Sequence, residues 1–215
     1  MTLPDVIPLF PLPDVVFFPG VPLPLHIFEP RYRAMIRDAN AGTKLIGMVL
    51  LRGEWRAHYE TKEAPIFTVG TVGEAVRVAE LPDGRFNLVL RGVREFSVRH
   101  EPDRGAPYRE AQVEWWPAET ERVPAAVTAQ VVAQVEEYVR LRGGDGFTPP
   151  RLDDVDDDTM FVNAVAQQLD VSALEKQSLL EVRPLAVRAQ RLCDVMAFRL
   201  AELRQPGARP SGRTH

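Results

Sequence analysis

The chain has 215 residues, 45% of them hydrophobic and 26% charged, a balance that excludes wholesale disorder and allows one large domain or two small ones. A formal net charge of -4 and a pI near 5.7 argue against a dedicated nucleic-acid binder, which shows a basic excess or stripe. Cys193 is the single cysteine, the N-terminus has no basic segment before an apolar core, and no apolar run approaches the roughly 18 residues that span a bilayer; a soluble protein of the reducing cytoplasm, without a membrane partner, is expected.

From Ile7 to Trp116 the sequence reads mainly as short strands and turns. A proline-spaced apolar segment runs from Ile7 to Gly20. Pro30 to about Ala39 interrupts the strands with one short helix: proline stands at a tolerated first-turn position, and Tyr32, Met35, Ile36 and Ala39 share a face. Lys44 to Leu51 is an apolar run of buried-strand length. Val69 to Leu81 is a strand candidate in which Gly70 and Gly73 mark bends or close backbone approach. The clearest hairpin joins Ala75–Leu81 to Arg85–Arg91 through Pro82-Asp83-Gly84: proline presets φ, Asp bonds local backbone, Gly accepts positive φ, and Phe86, Leu88 and Leu90 alternate onto one face. Arg94–Val98 and Tyr108–Trp115 continue the series, with Arg91-Gly92 read as a strand turn with basic flanks.

After Trp116-Pro117 the period changes. Val127, Val131, Val135 and Val139 recur every four residues, joined by Tyr138, and Gly143-Gly144 closes that helix. Valine is a mediocre helix former, so the helix needs a packing partner. Further helices are predicted over about Asp158–Leu169, after the capping box Ser172-Ala173-Leu174-Glu175, and over about Pro184–Leu203 with Leu185, Ala189, Leu192, Met196, Leu200 and Leu203 as its stripe. These readings divide the chain into a β-rich part, 1–118, a helical part, 119–204, and a Pro/Gly/Arg tail, 205–215, expected to be disordered.

Few residue patterns point to catalysis. None of the serines sits in a nucleophile elbow, and no phosphate loop occurs. Ser172 and Lys176 lie one helical turn apart, but the capping box already accounts for Ser172. The acidic run Asp153–Asp158 lacks the glycine and distal glutamate of a calcium loop and suits a helix N-terminus. His26, His58, His100 and His215 are scattered without metal-type spacing. No catalytic, cofactor or metal residue is therefore assigned. The loop Glu54–Glu63 carries Trp55 and Tyr59, which serve equally as a recognition surface or as a lid on the sheet. Glu29 and Arg31 beside the first helix read as a polar clasp rather than a ligand contact.

The run His26-Ile27-Phe28-Glu29-Pro30-Arg31-Tyr32-Arg33 after its proline-spaced opening, the Val69-Gly70-Thr71-Val72 strand, Pro82-Asp83-Gly84 and Arg91-Gly92 before Phe96 come in an order that resembles the substrate-binding, N-terminal domain of Lon protease. Lys176-Gln177-Ser178-Leu179-Leu180-Glu181 followed by Arg188 and Arg191-Leu192 is similar to that family's helical end. The resemblance implies an α+β fold, a PUA-like β pseudo-barrel followed by a C-terminal helical bundle, with Phe28, Glu29, Pro30, Arg31, Tyr32, Gly70, Gly84 and Gly92 in structural roles. It also implies a non-catalytic module that binds unfolded or extended polypeptide without a cofactor, as an adaptor or regulator of bacterial proteolysis. An RNA-binding PUA-like protein and a small-ligand binder or hydrolase are the alternatives. A polypeptide binder predicts an accessible apolar groove rimmed by charge, an RNA binder a basic face, and an enzyme convergent titratable groups in a pocket. Neither cargo nor oligomeric state is legible in the residues.

Overall fold

The structure, a computed structural model, describes residues 3–119, 122–142 and 158–205. Six strands, β1 (Val6–Leu12), β2 (Pro22–Ile27), β3 (Leu45–Leu51), β4 (Ile66–Glu80), β5 (Phe86–His100) and β6 (Arg109–Trp115), form one mixed sheet in the order β2-β5-β4-β3-β1-β6. β1 runs parallel to β3 and the other pairings are antiparallel. Because β6 pairs with both β1 and β5, five strands close into a barrel and β2 alone extends beyond it along the first half of β5.

The apolar run of β3 is explained by burial on both faces. Leu45 and Val49 join Ile7, Leu9, Val72 and Phe96 inside the barrel, whereas Ile46 and Met48 join the layer beneath helix α1 (Pro30–Ala41). That helix buries Tyr32, Met35, Ile36 and Ala39, the residues its sequence places on one face. Phe96 fills the barrel against Gly47 and Gly70: a Cβ on Gly70 would stand 2.3 Å from the Met48 carbonyl oxygen and 2.9 Å from the Phe96 ring. The hairpin between β4 and β5 forms at Pro82-Asp83-Gly84, where Gly84 has φ of 76° and the Asp83 carboxylate accepts from the Arg85 backbone N–H at 3.0 Å.

One expectation changes in the sheet. Arg91-Gly92 is no turn: β5 continues through it, and the register skips one residue as Val72 pairs with Arg94 and Gly73 with Gly92. A second skip leaves Val76 unpaired on β4. Such bulges bend long strands, and closure of the barrel needs the bend.

The chain divides into two compact units, Met1–Ala118 with Val171–Glu181, and Glu119–Asp170 with Val182–His215. Helix α4 (Ala173–Leu180) thus groups with the sheet rather than with the other helices, and Gln177 donates its side-chain N–H to the Val69 carbonyl at 3.0 Å. In the second unit, α2 (Ala125–Arg142) buries Val131, Val135 and Tyr138, α3 (Asp158–Gln168) buries Phe161 and Val165, and α5 (Leu185–Leu203) buries Leu185, Ala189, Leu192, Met196 and Leu200. Leu203, expected in that stripe, is only half-buried. Within this core Arg188 donates to the Asn163 side-chain oxygen at 2.8 Å. Gly143-Gly144, Asp153 to Asp157 and the segment 206–215 lie outside the described residues; Asp158, the last of the acidic run, accepts the Val123 backbone N–H at 3.1 Å.

Candidate functional site

Glu29 and Arg31 flank the start of α1 and bind the loop that carries Trp55 and Tyr59. One Glu29 oxygen accepts Arg31 Nε at 3.0 Å and lies 2.9 Å from its Nη2, the other accepts the Tyr59 hydroxyl at 2.7 Å, and Arg31 Nη1 donates to the Tyr59 carbonyl at 2.8 Å. The guanidinium lies 4.6 Å from the centroid of Tyr32 and 4.8 Å from that of Tyr59, so one cation is held between two rings. Burial raises the Tyr32 hydroxyl to about 12 against the lowering effect of Arg31. Burial, then the bond to Glu29, raises Tyr59 as well. Burial alone would lower Arg31, but Tyr32, Glu29 and Tyr59 together raise it.

Trp55 opens a short 3-10 turn (Trp55–His58) and meets Tyr59 edge-on at 5.6 Å. Both rings are half-buried. Tyr59 is therefore fastened at its hydroxyl, ring and carbonyl, while Trp55 is the freer of the two candidate contact residues. Phe28 departs from its expected structural role: it stands 61% exposed outside the core, its ring 6.4 Å from that of His26. The strand alternation explains this, since Ile27 takes the inward position next to it. Gly92 is a site of close approach, where a Cβ would stand 2.2 Å from the Phe18 carbonyl oxygen. Gly84 faces Arg33, whose guanidinium occupies the place of a Cβ.

The sequence reading missed a groove on the outer face of β2, β5 and β4. It is open, about 460 Å³ in volume, and its floor is largely apolar. Two cross-strand rows build it: Pro24, Val89 and Arg77 in one, and His26, Asn87 and Ala79 in the next. His26 Nδ1 meets the Asn87 side-chain oxygen at 2.7 Å, fixing the imidazole along the rim, and Phe28 stands next to it. The signal that could have found this face is the alternation of Pro22, Pro24 and His26 with Leu23, Leu25 and Ile27.

The chemistry of the remaining candidates is spent on structure. Ser172 Oγ accepts the Glu175 N–H at 3.2 Å and meets its carboxylate at 2.6 Å, a complete capping box. Arg109, buried, grips Glu101 through two 2.6 Å bonds and donates a third to the Ala64 carbonyl. Tyr108 is tied to Asp38 at 2.8 Å. Among the described residues no cluster of histidine, cysteine or carboxylate side chains could hold a metal, and no helix is long and apolar enough to cross a membrane. On the strands Arg91 is matched by Glu74, Arg99 by Glu114 and Arg109 by Glu101, and beside the sheet Arg37 of α1 pairs with Glu80 and Arg85 of the hairpin turn with Asp83. Such pairing interrupts the basic stripe that nucleic acid would need.

Known proteins share this architecture. The crystal structure of a Lon N-terminal domain protein from Xanthomonas campestris superposes with a TM-score of 0.64 at 22% identity, covering 90% of this chain and 98% of that one. The N-terminal domain of a Mycobacterium avium complex Lon protease gives 0.66 at 15% identity, covering 89% and 98%. Lon protease of Flavobacterium johnsoniae is 29% identical over 209 residues, 94% of this chain and 25% of that protein, and Lon protease of Escherichia coli K12 is 26% identical over 88% of this chain and 24% of that protein. The chain thus spans about a quarter of the length of these curated relatives. What the chain matches is their substrate-binding, N-terminal part. The profile of the ATP-dependent protease La (LON) substrate-binding domain matches residues 6–197, barrel and helices together, and with that agreement of sequence and fold the chain belongs to the Lon substrate-binding domain family.

Proposed function

We propose that this protein is a non-catalytic module of the cytoplasm that binds extended or unfolded polypeptide and serves as an adaptor or regulator of proteolysis. The observation that carries the reading is the open apolar groove on β2, β5 and β4, rimmed by Arg77 and His26 and bordered by the exposed Phe28. Aromatic side chains at such a border supply contact area at low entropic cost. Trp55 offers a second aromatic contact.

The bound segment lies across this face and does not extend the sheet. Gly92 donates to the Val21 carbonyl at 3.0 Å, which turns the backbone polar groups of Leu23 and Leu25 toward β5 and those of Pro22 and Pro24 toward the open edge. Proline has no N–H, so the edge strand lacks two of the donors an added strand would use.

Titration of labelled, denatured casein tests the proposal at moderate salt, where non-specific charge pairing is suppressed. Val89→Asp and Phe28→Ala should each weaken binding roughly tenfold, the loss of about 1.4 kcal/mol from an interface anchor. Trp55→Ala should weaken it if the loop contributes. Unchanged binding in all three variants, or binding of structured RNA alone with steep salt dependence, would replace the polypeptide reading.

A further inference from the structure

One face of α5 is dressed for a copy of itself. The helix buries Leu185, Ala189, Leu192, Met196 and Leu200, yet two of its large apolar side chains are turned outward, Val187 at 51% exposure and Phe198 at 66%. They lie eleven residues apart, about three full turns, and so share one face of the helix. Between them on that face stand Arg191 and Asp194, both exposed, with the small Ala197 and Ala201 nearby.

The order of these residues is self-complementary about a two-fold axis, apolar against apolar and cation against anion. Placing a second α5 antiparallel, with its axis midway between Leu192 and Cys193, brings Val187 opposite Phe198 and Arg191 opposite Asp194, and the same pairs recur on the other side of the axis. An isologous contact requires this reciprocity, because each residue must suit the one its twin meets. Alanine at positions 197 and 201 lets helix axes approach to the usual 8–10 Å, about the separation at which Arg191 can reach an acid on the facing helix. Parallel pairing would set Arg191 against Arg191 and Asp194 against Asp194.

We propose that this face of α5 pairs antiparallel with the same face of a second copy of the chain. A single helix face is smaller than the roughly 800 Å² per partner of stable complexes, so the self-association is weak and concentration-dependent.

The test is sedimentation of the full chain over a concentration series, with each variant's thermal melt as a control for folding. The side chains altered on α5, Arg191, Asp194 and Phe198, are exposed, so the fold survives their replacement. Arg191→Glu and Asp194→Arg should each weaken self-association by tenfold or more, because each sets like charges opposite one another. Mixing the two single variants should restore it, since every contact in the mixed dimer then joins opposite charges, and the double variant should associate as the wild type does. Phe198→Ser should abolish it. A monomeric wild type, single variants that associate normally, or a mixture no tighter than its components would overturn the proposal. Loss of association in Val89→Asp with retention in Arg191→Glu would also overturn it, by moving the contact to the groove on the sheet.

Discussion

Replacing Glu29 by alanine should loosen the Trp55 loop before it unfolds the barrel. Glu29 and Arg31 are 20% and 16% exposed, so their contact is screened less than a surface ion pair. The substitution removes the 3.0 Å bond from Arg31 Nε and the 2.7 Å bond from the Tyr59 hydroxyl. Hydrogen bonds to charged groups contribute about 1.5–3 kcal/mol each, and water admitted at the partly exposed site recovers part of the two, leaving a net loss of about 2 kcal/mol. The Arg31 bond to the Tyr59 carbonyl and its stacking on two rings remain, which sets that loss against the loop rather than the sheet. Local opening should become roughly thirtyfold more frequent. Tryptic cleavage at Arg56, in the exposed turn between Trp55 and Tyr59, reads this opening directly. Glu29→Gln, which keeps an acceptor for Tyr59 but not the charge, should fall between alanine and wild type, and Tyr59→Phe should show the smaller effect of one lost bond. Equal cleavage rates in Glu29→Ala and wild type, with unchanged urea midpoints, would refute the clasp.

Gly92→Ala should destabilise the barrel by about 3 kcal/mol in urea titration, because its Cβ meets the backbone oxygen of Phe18 at 2.2 Å and neither partner is a flexible side chain. Stability should fall at high pH: Tyr32 is raised to about 12 and Tyr59 and Tyr108 are raised with it, so the fold favours their protonated forms. That contribution is complete below the ordinary tyrosine value near pH 10 and is lost as pH climbs towards 12 and beyond, a decline that thermal melts across this window would follow and Tyr59→Phe should make shallower. Ser172→Ala should cost about 1 kcal/mol as a lost helix cap, seen as a lowered urea midpoint, with casein binding unchanged.

Short-range chemistry was legible in the residues. The α1 face of Tyr32, Met35, Ile36 and Ala39, the Pro82-Asp83-Gly84 hairpin and the Ser172 capping box each depend on neighbours within a few positions, where periodicity and turn propensity act directly. The order of the family-like motifs likewise carried the recognition of the whole fold. What the residues did not disclose depends on pairing across the chain. β6 closes the barrel by meeting β1 and β5 at once, Val93 is skipped so that β5 can bend, and the groove joins residues near 24, 77 and 89 that only register brings side by side. Phe28 illustrates the difference: its place in the motif was plain, but its 61% exposure, just past the end of β2, followed from the packing of Leu23, Leu25 and Ile27 in the layer with α1. Local patterns specify which residues form an element; long-range contacts decide which of its faces meets water, because burial is a property of the packed chain.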